Sequence, residues 1–259
     1  ACEMYGKSLQ ALKNSINPLK WPEPVKIKIK AALTAWEAKK TDSARKYVQS
    51  LQNEHGGQIP PKNLMEIAIL NVQLAWEEKD IEKTIQEYRS AFRAKMENAI
   101  SSEEFQPLAE ILFRMAQNLV QKKQYKYARI FLRDLEDHFK VGRAYWKWLY
   151  FSSVCDFYAM KNGQIGQTTQ AWKRLQDQFG IICQRSPELS SSAFLFCAYL
   201  QMKSGDDASY SLKQAEKRLS SSQDQREFME LLQDQNFLNL VMKQRSEEHT
   251  SELQSRQVI

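Results

Sequence analysis

Helix breakers are scarce in this sequence. Only 8 Gly and 7 Pro interrupt 259 residues that are otherwise rich in Leu, Ala, Gln, Lys and Glu, so the composition predicts helix throughout and an all-α chain. No apolar run reaches 18 residues and no charged-then-apolar leader opens the chain, so neither a membrane span nor a signal peptide is expected. The 4 cysteines, Cys2, Cys155, Cys183 and Cys197, have no paired spacing; buried free thiols in a reducing compartment, cytoplasmic or nuclear, are the expectation. Of the 3 histidines, His55 and His138 are isolated, which excludes a sequence-level metal cluster or catalytic dyad. A glycine-rich phosphate loop and a Gly-x-Ser-x-Gly elbow are both missing. The consecutive acids Glu77-Glu78 and Glu103-Glu104 diverge on a helix and suit solvation better than acid-base chemistry. The expectation is therefore no enzymatic activity, no cofactor and no metal.

Charge is also sparse in one direction: the net +6 is mild for this length. Lys122, Lys126, Arg129 and Arg133 form a stripe at helical spacing, but Asp134, Glu136 and Asp137 follow at once and no aromatics alternate with it. A solvated face is the reading, and direct nucleic-acid contact is not expected.

What the sequence does have is a period. Ala35-Trp36-Glu37-Ala38-Lys39 returns 40 residues later as Ala75-Trp76-Glu77-Glu78-Lys79. A small residue, an apolar residue four later and another three after that recur as Ala44/Val48/Leu51, Thr84/Tyr88/Ala91, Ala128/Leu132/Leu135, Thr168/Trp172/Leu175 and Ala208/Leu212/Ala215. Spacings of four and three share one helix face, and a small first residue lets a neighbouring helix come close, so each triplet marks the second helix of a hairpin.

Five hairpins are expected over residues 21–221. The first follows the break at Trp21-Pro22-Glu23-Pro24. Gly56-Gly57 and Pro60-Pro61 separate it from the second, whose first helix, about Lys62 to Lys79, is apolar on nearly all sides. Ser101 with Glu104 is a capping box for the third, with Leu108, Ile111, Leu112, Met115 and Leu119 facing the core. Gly142 precedes the aromatic-rich fourth, and Ser186-Pro187 opens the fifth. Residues 222–244, with Ser222 and Gln225 at the start, form one capping helix in this reading. Residues 1–20 read as the remaining helix of a preceding repeat. Residues 245–259 contain Arg245-Ser246-Glu247-Glu248-His249-Thr250-Ser251-Glu252-Leu253-Gln254-Ser255, which resembles the in-frame translation of a short-read sequencing adapter and marks a non-native tail.

Short turns within hairpins, longer links between them and the small-then-apolar second helices resemble tetratricopeptide-type repeats over about residues 25–221. The period of about 40 is longer than that family's 34, and its Trp-Leu-Gly-Tyr pattern is missing, so the likeness is to a tetratricopeptide-like array. The resemblance implies a right-handed α-solenoid of stacked antiparallel hairpins. It also implies a non-enzymatic scaffold with a ligand-facing groove for a protein or peptide partner, part of a larger helical-repeat protein. A narrower likeness, over residues 145–180 with Phe157-Tyr158-Ala159-Met160-Lys161-Asn162-Gly163 and Ala171-Trp172, is to the peptide-sensing repeats of Rgg-type bacterial regulators. That likeness implies the alternative of a peptide sensor.

In such arrays the first helices line the groove. The candidate partner-binding residues are Asn71, alone among apolar neighbours; Arg114 and Asn118, on the flank of a core face; Trp146 and Tyr150, sharing a face; and Asp156, the only acid of the aromatic helix. The competing reading places Asn71, Asp156 and the aromatics inside the packed stack.

Overall fold

The computed structural model describes residues 23–55, 59, 61–98, 100–140, 142–218 and 222–256. Among these there are twelve α-helices and no strand: α1 (Glu23–Glu37), α2 (Thr41–His55), α3 (Pro61–Glu77), α4 (Ile81–Glu97), α5 (Ser102–Gln121), α6 (Tyr125–Arg133), α7 (Gly142–Lys161), α8 (Thr169–Arg185), α9 (Ser190–Ser204), α10 (Ser209–Arg218), α11 (Ser222–Leu231) and α12 (Gln235–Arg256). The expectations for residues 1–20, for Trp21-Pro22 and for Gly56-Gly57 lie outside the described residues. None of the described helices is long and apolar enough to cross a membrane.

The period written in the sequence returns as a period in the backbone. Lys39, Lys79, Lys123, Gly163 and Gly205 all have positive φ, from 59° to 78°. Each sits just past the first helix of a pair. Its own N–H donates to the carbonyl three residues back, and the next N–H to the carbonyl five back: Lys39 to Trp36 and Lys40 to Ala35 at 2.9 and 2.8 Å, and likewise through to Gly205 and Asp206. This pair of bonds caps the last free carbonyls of a helix and turns the chain sharply, which is how five short turns can repeat.

Three of the five left-handed positions are lysines, although a Cβ in that conformation costs about 1 kcal/mol or more. Lys79 is exposed, and the bonds that hold the turn are made by its backbone. Lys79→Gly is therefore expected to raise stability by about 0.5–1 kcal/mol after the extra entropy of an unfolded glycine is set against the strain. Urea unfolding checks this. Lys123→Gly should gain less, because Lys123 also pairs with Glu230 at 2.7 Å.

The small residues behave as spacers in the first three pairs. Ala44, Thr84 and Ala128 are each the fourth residue of their helix and each is 0% exposed. Ala208, just ahead of α10, is buried as well. Thr168 differs: it is exposed and caps α8, its hydroxyl accepting from the Ala171 N–H at 3.1 Å. The turn after Gly163 is longer, so α8 starts later and the threonine moves from inside the helix to the cap, where its side chain is favoured.

The chain divides into two compact units, residues 1–112 and 113–259, with the division inside α5. In the first unit α1 packs on α2 and α3 on α4, while α3 also packs against α1 and α2. Val25, Ile29, Ala32, Val48, Leu51, Ile67 and Leu70 form its core, and Ala35, Ala44 and Leu74 a second cluster where helices approach closely. Glu78, read as a solvating acid, accepts from both Arg45 and Lys83, and together they hold its carboxyl below the usual range: the Lys83 bond first, then Arg45 against the opposing push of burial. The capping box forms as expected, the Glu104 N–H donating to Ser101 Oγ and the Ser101 N–H to Glu104 Oε2, both at 3.2 Å.

In the second unit neighbouring helices pack in sequence, α6 on α7, α7 on α8, α8 on α9 and α9 on α10, and α11 also packs on α9. The Trp148 indole N–H on α7 donates to the Leu132 carbonyl on α6 at 2.8 Å. Helix α9 is apolar on every side and accordingly buried almost throughout, as a central helix must be. Ser186 departs from its expected role: it is buried and makes no side-chain cap, and Pro187–Leu189 form a 3-10 turn before α9 begins.

The stretch from Ser222 is two helices, where the sequence reading expected one over 222–244. Asp234 breaks it: its Oδ1 accepts from the Asn236 and Phe237 N–H groups at 3.0 and 3.3 Å, which caps α12. Helix α12 then continues to Arg256, beyond the expected end near Lys243.

Candidate functional site

The richest polar cluster of the second unit lies on the first helices α7 and α9. Tyr150, Val154, Tyr158 and Lys161 follow one another at spacings of four, four and three, and so share a stripe of α7; Phe196, Tyr199 and Lys203 do the same on α9. Phe196 joins the stripes, its ring within 6.5 Å of Tyr150 and 6.2 Å of Tyr158. Tyr125, at the start of α6, stacks on Tyr158 with centroids 4.1 Å apart. The Lys161 and Lys203 ammonium groups lie 5.6 and 5.4 Å from the Tyr199 ring centre. The face is thus aromatic in the middle and basic at its edge.

Helix α11 covers this face with acid. Tyr150 Oη donates to Glu227 Oε2 at 3.1 Å, with both residues buried. Lys123 pairs with Glu230 at 2.7 Å. Asp234, in the turn after α11, accepts from Tyr199 Oη and from Lys203 Nζ, each at 2.8 Å. Burial pushes the Asp234 carboxyl up, but Lys203, Tyr199 and the Phe237 N–H together bring it down to about 2, so it stays ionised. Burial, and then the nearby Glu230 charge, raises the Tyr125 hydroxyl; burial followed by the Asp234 bond raises Tyr199. Lys161 is lowered by burial despite Glu230 and Asp234 nearby. Tyr125 and Tyr199 are therefore neutral hydroxyls, and Tyr199 is fitted to donate to a carboxylate. Beside the contact, a hollow of about 990 Å³ is lined by Lys123, Met229, Glu230, Leu232, Gln233 and Leu238, among others.

Among the sequence-derived candidates, Tyr150 and Asp156 both lie on α7 and have partners within the unit. Tyr150 is 4% exposed and is held by Glu227. Asp156 is half-buried and accepts from Arg129 Nε at 2.6 Å, which also neutralises one member of the basic stripe; Arg133 pairs with Asp134. Trp146 is half-buried, edge-on to Tyr145 at 4.9 Å. Arg114 is exposed on α5, and Asn118, one turn on, has its Oδ1 buried without a hydrogen-bond partner among the described residues. Asn71 is half-buried on α3, in the first unit. Sequence reasoning missed Lys123, Lys161, Tyr199, Lys203, Glu227, Glu230 and Asp234. A signal was present: lysines close three successive first helices or their turns, and the three acids are spaced three and four apart.

No family model matches this chain, and no curated protein does. Its compatibility with a helical repeat therefore rests on geometry: helices packed in neighbouring pairs, recurring turns, and small residues buried at the matching position of Ala44, Thr84, Ala128 and Ala208. Cys155 and Cys197 are buried, Cys183 is half-buried and all three are free, while Cys2 lies outside the described residues. Among the described residues, no three His, Cys, Asp or Glu side chains converge as a metal site requires.

Proposed function

We propose that this chain is a non-enzymatic interaction scaffold, a tetratricopeptide-like, right-handed solenoid of antiparallel hairpins that holds a protein partner on its first helices. The observation that carries this reading is the face of α7 and α9. It brings together packed rings and a row of Lys and Tyr donors that already hold carboxylates, spread over successive helices as an extended or helical ligand needs. The partner is intracellular in this reading, consistent with three free thiols.

The test is retention of a partner by the immobilised full chain, compared with Lys161→Glu/Lys203→Glu. The scaffold reading expects a protein retained by the first and lost from the second. Catalytic turnover abolished by a single substitution would sink it. A short peptide that raises the melting temperature, with no protein retained, would make the chain a peptide sensor instead.

A further inference from the structure

In a regular helical-repeat stack each pair touches only its neighbours. Helix α11 breaks that rule. It packs on α9, the nearest first helix, yet Glu227 reaches Tyr150 on α7, and Glu230 reaches Lys123 in the turn between α5 and α6. These contacts pass over one and two helix pairs. A helix that merely ended the stack would have no reason to make them.

We infer that residues 222–234 are a built-in competitor: α11 and its following turn occupy the α7/α9 face in place of an acidic helix supplied by a partner. The inference rests on the scaffold reading and adds the partner's chemistry, an amphipathic helix whose carboxylates recur at three- and four-residue spacing. Charge complementarity fixes that choice. Lys123, Tyr150, Tyr199 and Lys203 each donate to a carboxylate of this short segment, so a second acidic helix could replace those bonds one for one. The seat is also open along one side of α11. Leu231 is fully buried, but Met229 on the same helix is 65% exposed and faces the hollow of about 990 Å³, which leaves a competitor an approach.

Two full-length chains and two fluorescein-labelled peptides test this. The chains are the natural sequence and Glu227→Gln/Glu230→Gln/Asp234→Asn. The peptides are residues 222–244 and the same segment with Glu227, Glu230 and Asp234 changed to amides. The acidic peptide should bind the substituted chain at least ten-fold tighter than the natural one, and the amide peptide should bind neither measurably. Equal affinity for both chains overturns the inference, as does absence of binding by a substituted chain that keeps its helical circular dichroism. Should the substituted chain lose helicity, hydrogen exchange on the natural chain decides the matter. Saturating acidic peptide should speed exchange at the amides of α11, and unchanged exchange overturns the proposal. A protein partner retained equally by both chains would remove the competitor while leaving the scaffold standing.

Discussion

Phe157→Ala should cost the 113–259 unit about 3–5 kcal/mol of stability, the usual range for deleting a large ring from a packed core. Phe157 is 0% exposed and touches more rings than its position on one helix suggests: Phe196 at 4.9 Å, Tyr158 at 5.2 Å, Tyr199 at 5.3 Å and Trp172 at 6.0 Å, all near edge-on. It joins α7, α8 and α9, so its loss leaves a cavity between three helices at once, and none can close it without leaving the others. Edge-on ring pairs add to the burial itself. Denaturant unfolding followed by circular dichroism reads the effect. Met229→Ala is the control, 65% exposed and expected to stay within about 0.5 kcal/mol. A Phe157→Ala loss below about 1 kcal/mol would mean that the rings do not pack as described.

The period was legible because it is enforced locally. A capping box and a small-then-apolar spacing are each written in a few adjacent side chains, so Ser101 with Glu104, and Ala44, carry their roles in the sequence itself, whereas the left-handed position at Lys39 has no glycine to announce it. Other features were not legible. Asp234 ends a helix in a run whose composition still favours helix, and its capping role comes from bonds two and three residues ahead. Tyr150 reads as a groove residue from its spacing with Trp146. Its hydroxyl is bound by Glu227, 77 residues away, and no periodic pattern reports such a contact. Asp156 likewise has an apolar neighbourhood in sequence and an arginine neighbour in space. The pairing that makes the candidate site lies between segments whose separation is not a multiple of the repeat.

Tyr150→Phe isolates that pairing. The substitution removes one hydroxyl, keeps the ring against Phe151, Phe179 and Phe196, and opens no cavity. Glu227, 8% exposed, then loses a donor while remaining a buried carboxylate, and hydrogen bonds to charged groups of this kind contribute about 1.5–3 kcal/mol. The loss should be local. Amides of α11 are expected to exchange faster, while those of α7 and α9, held by the ring cluster, keep their protection. Glu227→Leu in the Tyr150→Phe background should recover part of the stability, since replacing both partners by apolar groups removes the buried acceptor along with its donor. If Tyr150→Phe changed stability by less than about 0.5 kcal/mol and left α11 exchange as it was, the hydroxyl would be incidental, and α11 would be seated by its apolar side alone.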